Sequence, residues 1–166
     1  MKTTIVVAVL MVACLLWAGA AGWTATDTQT LTVNAQVLAK AKLTLGVAAI
    51  NFSDADPDVT PAVAATENPV SVTVKAHTGS GSTVTLTVKA DGDLQATGGT
   101  IPITNVSWTA SGAGFVGGTM DTTAVAAGSW TGPGQYSGQF RFFLANNWSY
   151  QPGNYSQTVV YTLTAP

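Results

Sequence analysis

Cysteine is all but missing from this chain of 166 residues. Its one copy, Cys14, lies in the first apolar run, so nothing downstream can form a disulfide or a thiolate metal site. Charge is also scarce, with only 8% of residues being Asp, Glu, Lys or Arg. The few cations never cluster, which argues against nucleic acid and anionic membrane surfaces as partners. There is a single histidine, His77, and no nucleophile or second base is marked beside it. The expectation is therefore a non-enzyme without a cofactor, with His77 on the surface. The glycine-rich pieces Gly79-Ser80-Gly81 and Gly117-Gly118 precede no helix, so they are turns and not phosphate cradles. Helical spacing is missing throughout, while β-branched residues abound.

A long apolar run is missing too. Met1-Lys2-Thr3-Thr4 gives a short positive start, and Ile5 to Trp17 is continuous and apolar. That stretch falls short of the ~20 residues that span a bilayer. Ala18-Gly19-Ala20 fits a cleavage site, so residues 1–20 read as a secretory signal peptide, and the protein as secreted, extracellular or cell-surface. Met11-Val12-Ala13-Cys14 loosely matches a lipoprotein box, but the apolar Leu15-Leu16-Trp17 after it argues against acylation. The chain that remains carries five cations against eight acids, and no membrane segment is expected in it.

What is present is alternation. From Leu31 to Leu45 every odd position is apolar, and the even positions are polar except Leu38. A period of two marks a β-strand, because successive side chains point to opposite faces of the pleat. At ~3.3 Å per residue the run would reach roughly 45 Å, well beyond an ordinary strand. Either it bends from one sheet to another, near Leu38, or its first half leaves the domain and pairs elsewhere. The division expected is 21–37 for an N-terminal extension and 38–166 for the domain.

Further strands are punctuated by Gly, Pro and Asp. Val70, Val72, Val74 and Ala76 form one apolar face, and Val84, Leu86, Val88 and Ala90 another. The turn Thr78–Ser82 between them predicts a hairpin. Ile101 and Ile103 begin a strand that Val106, Trp108 and Ala110 continue in the opposite phase, which predicts a β-bulge. Weaker strands are expected near 115–120 and 123–130, then Tyr136–Leu144 and Tyr155–Thr164. So many short strands predict an all-β protein, an Ig-like antiparallel β-sandwich with an N-terminal extended strand.

Asp54, Asp56 and Asp58 place oxygen ligands at alternate positions, as a calcium loop begins, but Val59 replaces the required glycine and no twelfth-position acid follows. They are weak metal candidates, and ordinary turn chemistry suffices for them. Trp108 is phased with the core. Trp130 and Trp148 sit beside Gly, Pro and Asn, hence near loops or strand ends, and with Tyr150 they are candidate glycan contacts. Sequons at Asn51, Asn105, Asn147 and Asn154 matter only in a glycosylating host.

Val33-Asn34-Ala35-Gln36-Val37 leads through Leu43 and Leu45 to Ile50-Asn51-Phe52, with Val70–Val74 and Gly153–Val159 further on. In these patterns the chain resembles the spore coat U domain shared with archaic chaperone–usher pilin subunits. It would be a cysteine-free variant, since Lys40-Ala41-Lys42 stands where such pilins usually carry cysteine. The resemblance implies a secreted sandwich that lacks one strand and polymerises by donating an N-terminal strand to a neighbour. Thr30–Val37 would then be the donor, with Leu31, Val33, Ala35 and Val37 entering the neighbour's pockets. The partners implied are copies of itself or related subunits, with a periplasmic chaperone. A second reading, from the aromatics, is a secreted carbohydrate-binding or adhesive module.

Overall fold

The computed structural model describes residues 25–166, so the expected signal peptide, Cys14 and Trp23 lie outside the described residues. Residues 25–39 form no strand, and their side chains are exposed. The regular structure begins at β1, Lys40–Leu45, and continues with β2, Ala62–Ala64, β3, Val70–His77, and β4, Thr83–Ala90. A short hairpin of β5, Leu94–Ala96, and β6, Gly99–Ile101, comes next. Then follow β7, Val106–Ser111, β8, Gly118–Thr119, β9, Val125–Thr131, β10, Gly134–Ala145, and β11, Val159–Thr164.

The strands form an all-β antiparallel sandwich. One sheet has the order β1-β3-β10-β7-β8, with β2 beside the end of β10, and the other has β11-β4-β9. Burial explains why these segments are strands. Val70, Val72, Val74 and Ala76 of β3 are buried, and so are Val84, Leu86, Val88 and Ala90 of β4, while the residues between them face outward. Each sheet turns one face to the other and buries a row of β-branched and aliphatic side chains. Phe140 of β10 is fully buried at the centre, its ring 6.5 Å from Trp108, 5.8 Å from Phe115 and 6.1 Å from Tyr161 between centroids. Aromatic contacts at such spacing stabilise beyond the area they bury.

Three expectations are corrected. The residues 70–76 and 84–90 do not pair as a hairpin. β3 pairs with β1 and β10, and β4 with β11 and β9, so Thr78–Ser82 carries the chain from one sheet to the other. Alternation fixes which face a residue takes but not its partner, and both strands bury their apolar rows across the layers. The phase slip after Ile103 is made by a 3-10 turn over Ile103–Asn105, and the register shift of the sandwich lies instead at Leu86/Thr87 of β4. The last strand starts at Val159, because Tyr155–Thr158 runs irregularly apart from a bridge of Ser156 to Gln95.

Asn68 completes an edge. Its Nδ2 donates to the carbonyl of Phe142 at 2.8 Å, and its Oδ1 accepts from the Phe142 amide at 2.8 Å. A side-chain amide thus stands in for a strand pair beside β10.

Candidate functional site: an open seam beside β11

A two-layer sandwich has two seams where the sheets' edges meet. On one side β8 approaches β9, and the seam is stitched by backbone bonds. The amide of Val116 donates to Ala127 O at 3.1 Å, and that of Ser129 to Gly114 O at 2.9 Å. Gly114 is required there, since its φ of +81° suits glycine and a Cβ would strike the Trp130 indole.

On the other side β1 approaches β11, and no backbone hydrogen bond joins them among the described residues. Each is an edge: β1 pairs only with β3, and β11 only with β4. In an immunoglobulin constant-type sandwich, strands A-B-E-D face C-F-G. Here β1, β3, β10 and β7 occupy A, B, E and D, while β4 and β11 occupy C and F. β9 lies on the other side of β4, and among the described residues no strand occupies the position of G beside β11.

The side chains register that gap. Inward-facing residues of β3 and β4 are buried, whereas Leu43 and Leu45 of β1, and Val159, Tyr161 and Leu163 of β11, are only half-buried. All five pack against the core, and of them Leu45, Val159 and Tyr161 also border open space. A groove of about 750 Å³ lies along this seam. Val47, Ile50 and Phe52 form one rim, Tyr155, Val159 and Tyr161 the other, and Val70, Met120 and Phe142 lie in its floor. The rim at Val47–Ile50 makes no backbone hydrogen bond to another described residue. It is anchored at Asn51, whose amide donates to Glu67 Oε2 at 2.7 Å and whose Nδ2 donates to Oε1 at 2.6 Å. These bonds from Asn51 hold the Glu67 carboxyl below its ordinary pKa.

Tyr161 is the polar exception in the groove. Its hydroxyl is enclosed without a hydrogen-bond partner, and burial pushes its pKa up. An unpaired buried hydroxyl is uncommon in a completed interior.

The predicted site residues fall in three places. Leu31, Val33 and Val37 are 86%, 81% and 75% exposed, and Ala35 is exposed as well. Trp130, expected at a loop or strand end, is instead buried in β9. Its ring stacks on Tyr136 at 5.1 Å, meets Phe115 edge-on, and its Nε1 donates to Ala113 O at 2.8 Å. Its phase in β9 turns it inward, which removes it as a sugar platform. Tyr150 is half-buried, its hydroxyl accepting from Asn105 Nδ2 and donating to Ala145 O, and burial raises its pKa.

Trp148 alone of the three keeps an exposed ring, at 68%. Its Nε1 donates to Asp58 Oδ1 at 3.1 Å, a contact between two predicted clusters that no spacing in the sequence announces. Asp56 Oδ1 accepts from the Asp58 amide at 2.9 Å, so these carboxylates shape their own turn. Among the described residues no group of three His, Cys, Asp or Glu side chains stands together to share a metal ion. His77 ends β3 in an exposed position opposite Lys40. The residues that line the groove were not named from the sequence, because its rims at 46–52 and 153–158 are irregular and carry no period.

The sequence matches no protein-family model and no curated protein.

Proposed function

We propose that the protein is a secreted, non-enzymatic structural subunit of an extracellular filament, pilus or coat, assembled by strand donation between copies. One observation carries the reading: the seam between β1 and β11 is open, with a free strand edge and a half-buried apolar row. An unpaired edge over an apolar groove invites an extended segment that supplies both backbone partners and alternate side chains. The chain carries such a segment in Thr30–Val37, exposed, without a strand partner and apolar at every second residue. This agrees with the resemblance to the spore coat U and archaic pilin domains.

Direction follows from where the chain ends lie. β11 runs toward the end of the sandwich that holds His77 and Thr78, where Thr78 Oγ1 donates to Pro166 O. Lys40, opposite His77, enters at that same end. A donor antiparallel to β11 therefore brings its own domain to the far end of the acceptor, and the contact repeats as an open chain. A donor parallel to β11 would set two like ends together and close a pair. The filament reading takes the antiparallel course.

Deleting residues 21–37 tests the proposal. The shortened chain should fold, alone or with a chaperone, and form no filaments by electron microscopy. Filaments that survive the deletion overturn it. The exposed ring of Trp148 supports a second reading, a carbohydrate-binding or adhesive module, which predicts a monomer whose glycan binding is lost in Trp148→Ala.

A further inference from the structure

The acids of the domain are sorted by end. Call the end with Lys40, His77 and Pro166 the entry end, and the end with Asp58 and Trp148 the far end. Asp54, Asp56 and Asp58 lie by Asn146, whose Nδ2 donates to Ala55 O and Thr60 O just past β10. Glu67 precedes β3, Asp91 and Asp93 follow β4, and Asp121 precedes β9 where the Met120 amide donates to Val106 O. Each of those junctions is at the far end, so all seven acids of residues 36–166 gather there. Among residues 36–166 the entry end has no acid, and Lys40, Lys42, Lys75 and His77 are paired neighbours on its outer face; Lys89 and Arg141 stand toward the far end, where seven acids outnumber them.

The apolar surface is sorted too. The far end exposes Trp148 and Val59, at 68% and 78%, beside Asp58. The entry end has a recess of about 410 Å³ whose lining includes Val37, Leu38, Ala39, His77, Pro133 and Pro166. Leu38 is the one apolar residue in the polar row of the long alternation, and it is 62% exposed. A donor role for the odd-numbered residues does not account for it.

We infer that successive copies make a second, end-to-end contact, in which Trp148 and Val59 of the acceptor seat against the Leu38–Pro133–Pro166 recess of the donor. It rests on the strand-donation reading, which brings the donor's entry end to the acceptor's far end. The occupant is a second copy because the two ends complement each other: acidic with a protruding indole, and basic with an apolar hollow. Opposite charges across such a contact steer encounter and fix its polarity. The contact would orient copies before the donor segment threads the groove, and it gives Leu38 a partner. A parallel donor would set the two basic ends together.

The test is growth of filaments from the full chain after signal removal, followed by light scattering at low and high salt. Trp148→Ala should slow growth about tenfold, as loss of a central aromatic anchor does at interfaces. Lys40→Glu should slow it at low salt by a similar factor, and Lys40→Glu with Asp54→Lys should recover most of the rate. Wild-type growth should fall as salt rises. All three positions are exposed, so the melting temperature of each unassembled variant should match wild type, which separates contact from folding. Val33→Asp serves as the control for strand donation. If it blocks filaments while Trp148→Ala and Lys40→Glu grow within twofold of wild type, donation stands and the end-to-end contact is wrong. If Val33→Asp still forms filaments, the donation reading itself fails. Unchanged growth in Trp148→Ala together with lost glycan binding would overturn the inference and assign the indole to a sugar.

Discussion

Phe140 and Tyr161 stack across the sandwich, centroids 6.1 Å apart and planes 18° from parallel, so the central ring of one sheet leans on the edge strand of the other. Phe140 is fully buried, but Tyr161 stands where the groove opens, and its hydroxyl is enclosed without a partner. That pair marks the boundary between finished and unfinished core.

Replacing Tyr161 by Phe should therefore stabilise the unassembled subunit. An unsatisfied buried hydroxyl costs about 1–3 kcal/mol, and the ring that makes the aromatic contacts is kept. A rise in melting temperature of about 2–4 °C per kcal/mol is the expected scale. The same group makes the wild type sensitive to alkali. Its pKa is raised on folding, so its contribution is whole below the ordinary tyrosine value of 10.0 and is lost as pH rises above it. The Phe variant should hold its melting temperature better than wild type above that pH. Equal alkaline loss in both would place the sensitivity elsewhere.

Trp130→Ala should behave as a core deletion. The ring fills space between Tyr136 and Phe115, and its Nε1 satisfies Ala113 O. Loss of about 3–5 kcal/mol is expected for such a truncation. Denaturant unfolding measures it directly. A variant as stable as wild type would contradict the burial seen here.

Glu67 should titrate below the ordinary glutamate value of 4.5, because both of its oxygens accept bonds from Asn51. With the folded pKa depressed, the stability it lends is present above 4.5 and disappears as pH falls through the folded value. The rim of the groove should loosen in acid before the sandwich melts. Amide signals of Asn51 and Thr66 followed by NMR through that range should shift together with the Glu67 carboxyl. In Glu67→Ala the shift of Asn51 with pH should be gone.

Much of the fold was legible in the sequence, and the limits of that reading have physical causes. The apolar rows of β3 and β4 were plain, because each second residue is buried and a period of two reports it. Their partners were not plain, since period fixes a face and leaves pairing to tertiary packing. β2, β5 and β6 have three residues each, too few for any pattern to emerge. The long alternation correctly announced β1 over 40–45, but it ran unchanged through residues that form no strand. Hydrophobic period marks what an edge wants to touch, whether or not its partner lies in the same chain. The site was harder: Trp148 meets Asp58 across 90 positions, and the groove's rims at 46–52 and 153–158 carry no period.

Val33→Asp should abolish filaments and leave the melting temperature of the unassembled subunit nearly unchanged. Val33 is exposed in the lone chain, so the charge is solvated there. Seated in a neighbour's groove it would be buried without a partner, which is strongly unfavourable. A large fall in the melting temperature of the monomer would show that this segment belongs to its own domain's core.

A peptide of Thr30–Val37 added to the chain lacking residues 21–37 separates groove filling from polymer growth. The peptide brings the alternate residues Leu31, Val33, Ala35 and Val37, and it is free of any domain that could extend a filament. Binding only to the folded state stabilises it by mass action, about 2.7 kcal/mol at a hundredfold excess over Kd. The melting temperature should climb with peptide concentration and level off only slowly. A peptide with Val33→Asp should give no rise, because its charge meets Val70, Met120 and Phe142 in the groove floor. Chemical shifts should move for Tyr161, Val159 and Ile50, and stay still for Phe115 and Gly128 on the stitched seam. The free edge of β11 predicts one further effect. Amides of β11 that face the groove and exchange freely in the shortened chain should become protected once the peptide's carbonyls pair with them. If the peptide raises stability without protecting those amides, it occupies the groove as an apolar ligand and not as a strand, and donation between copies would lose its backbone term.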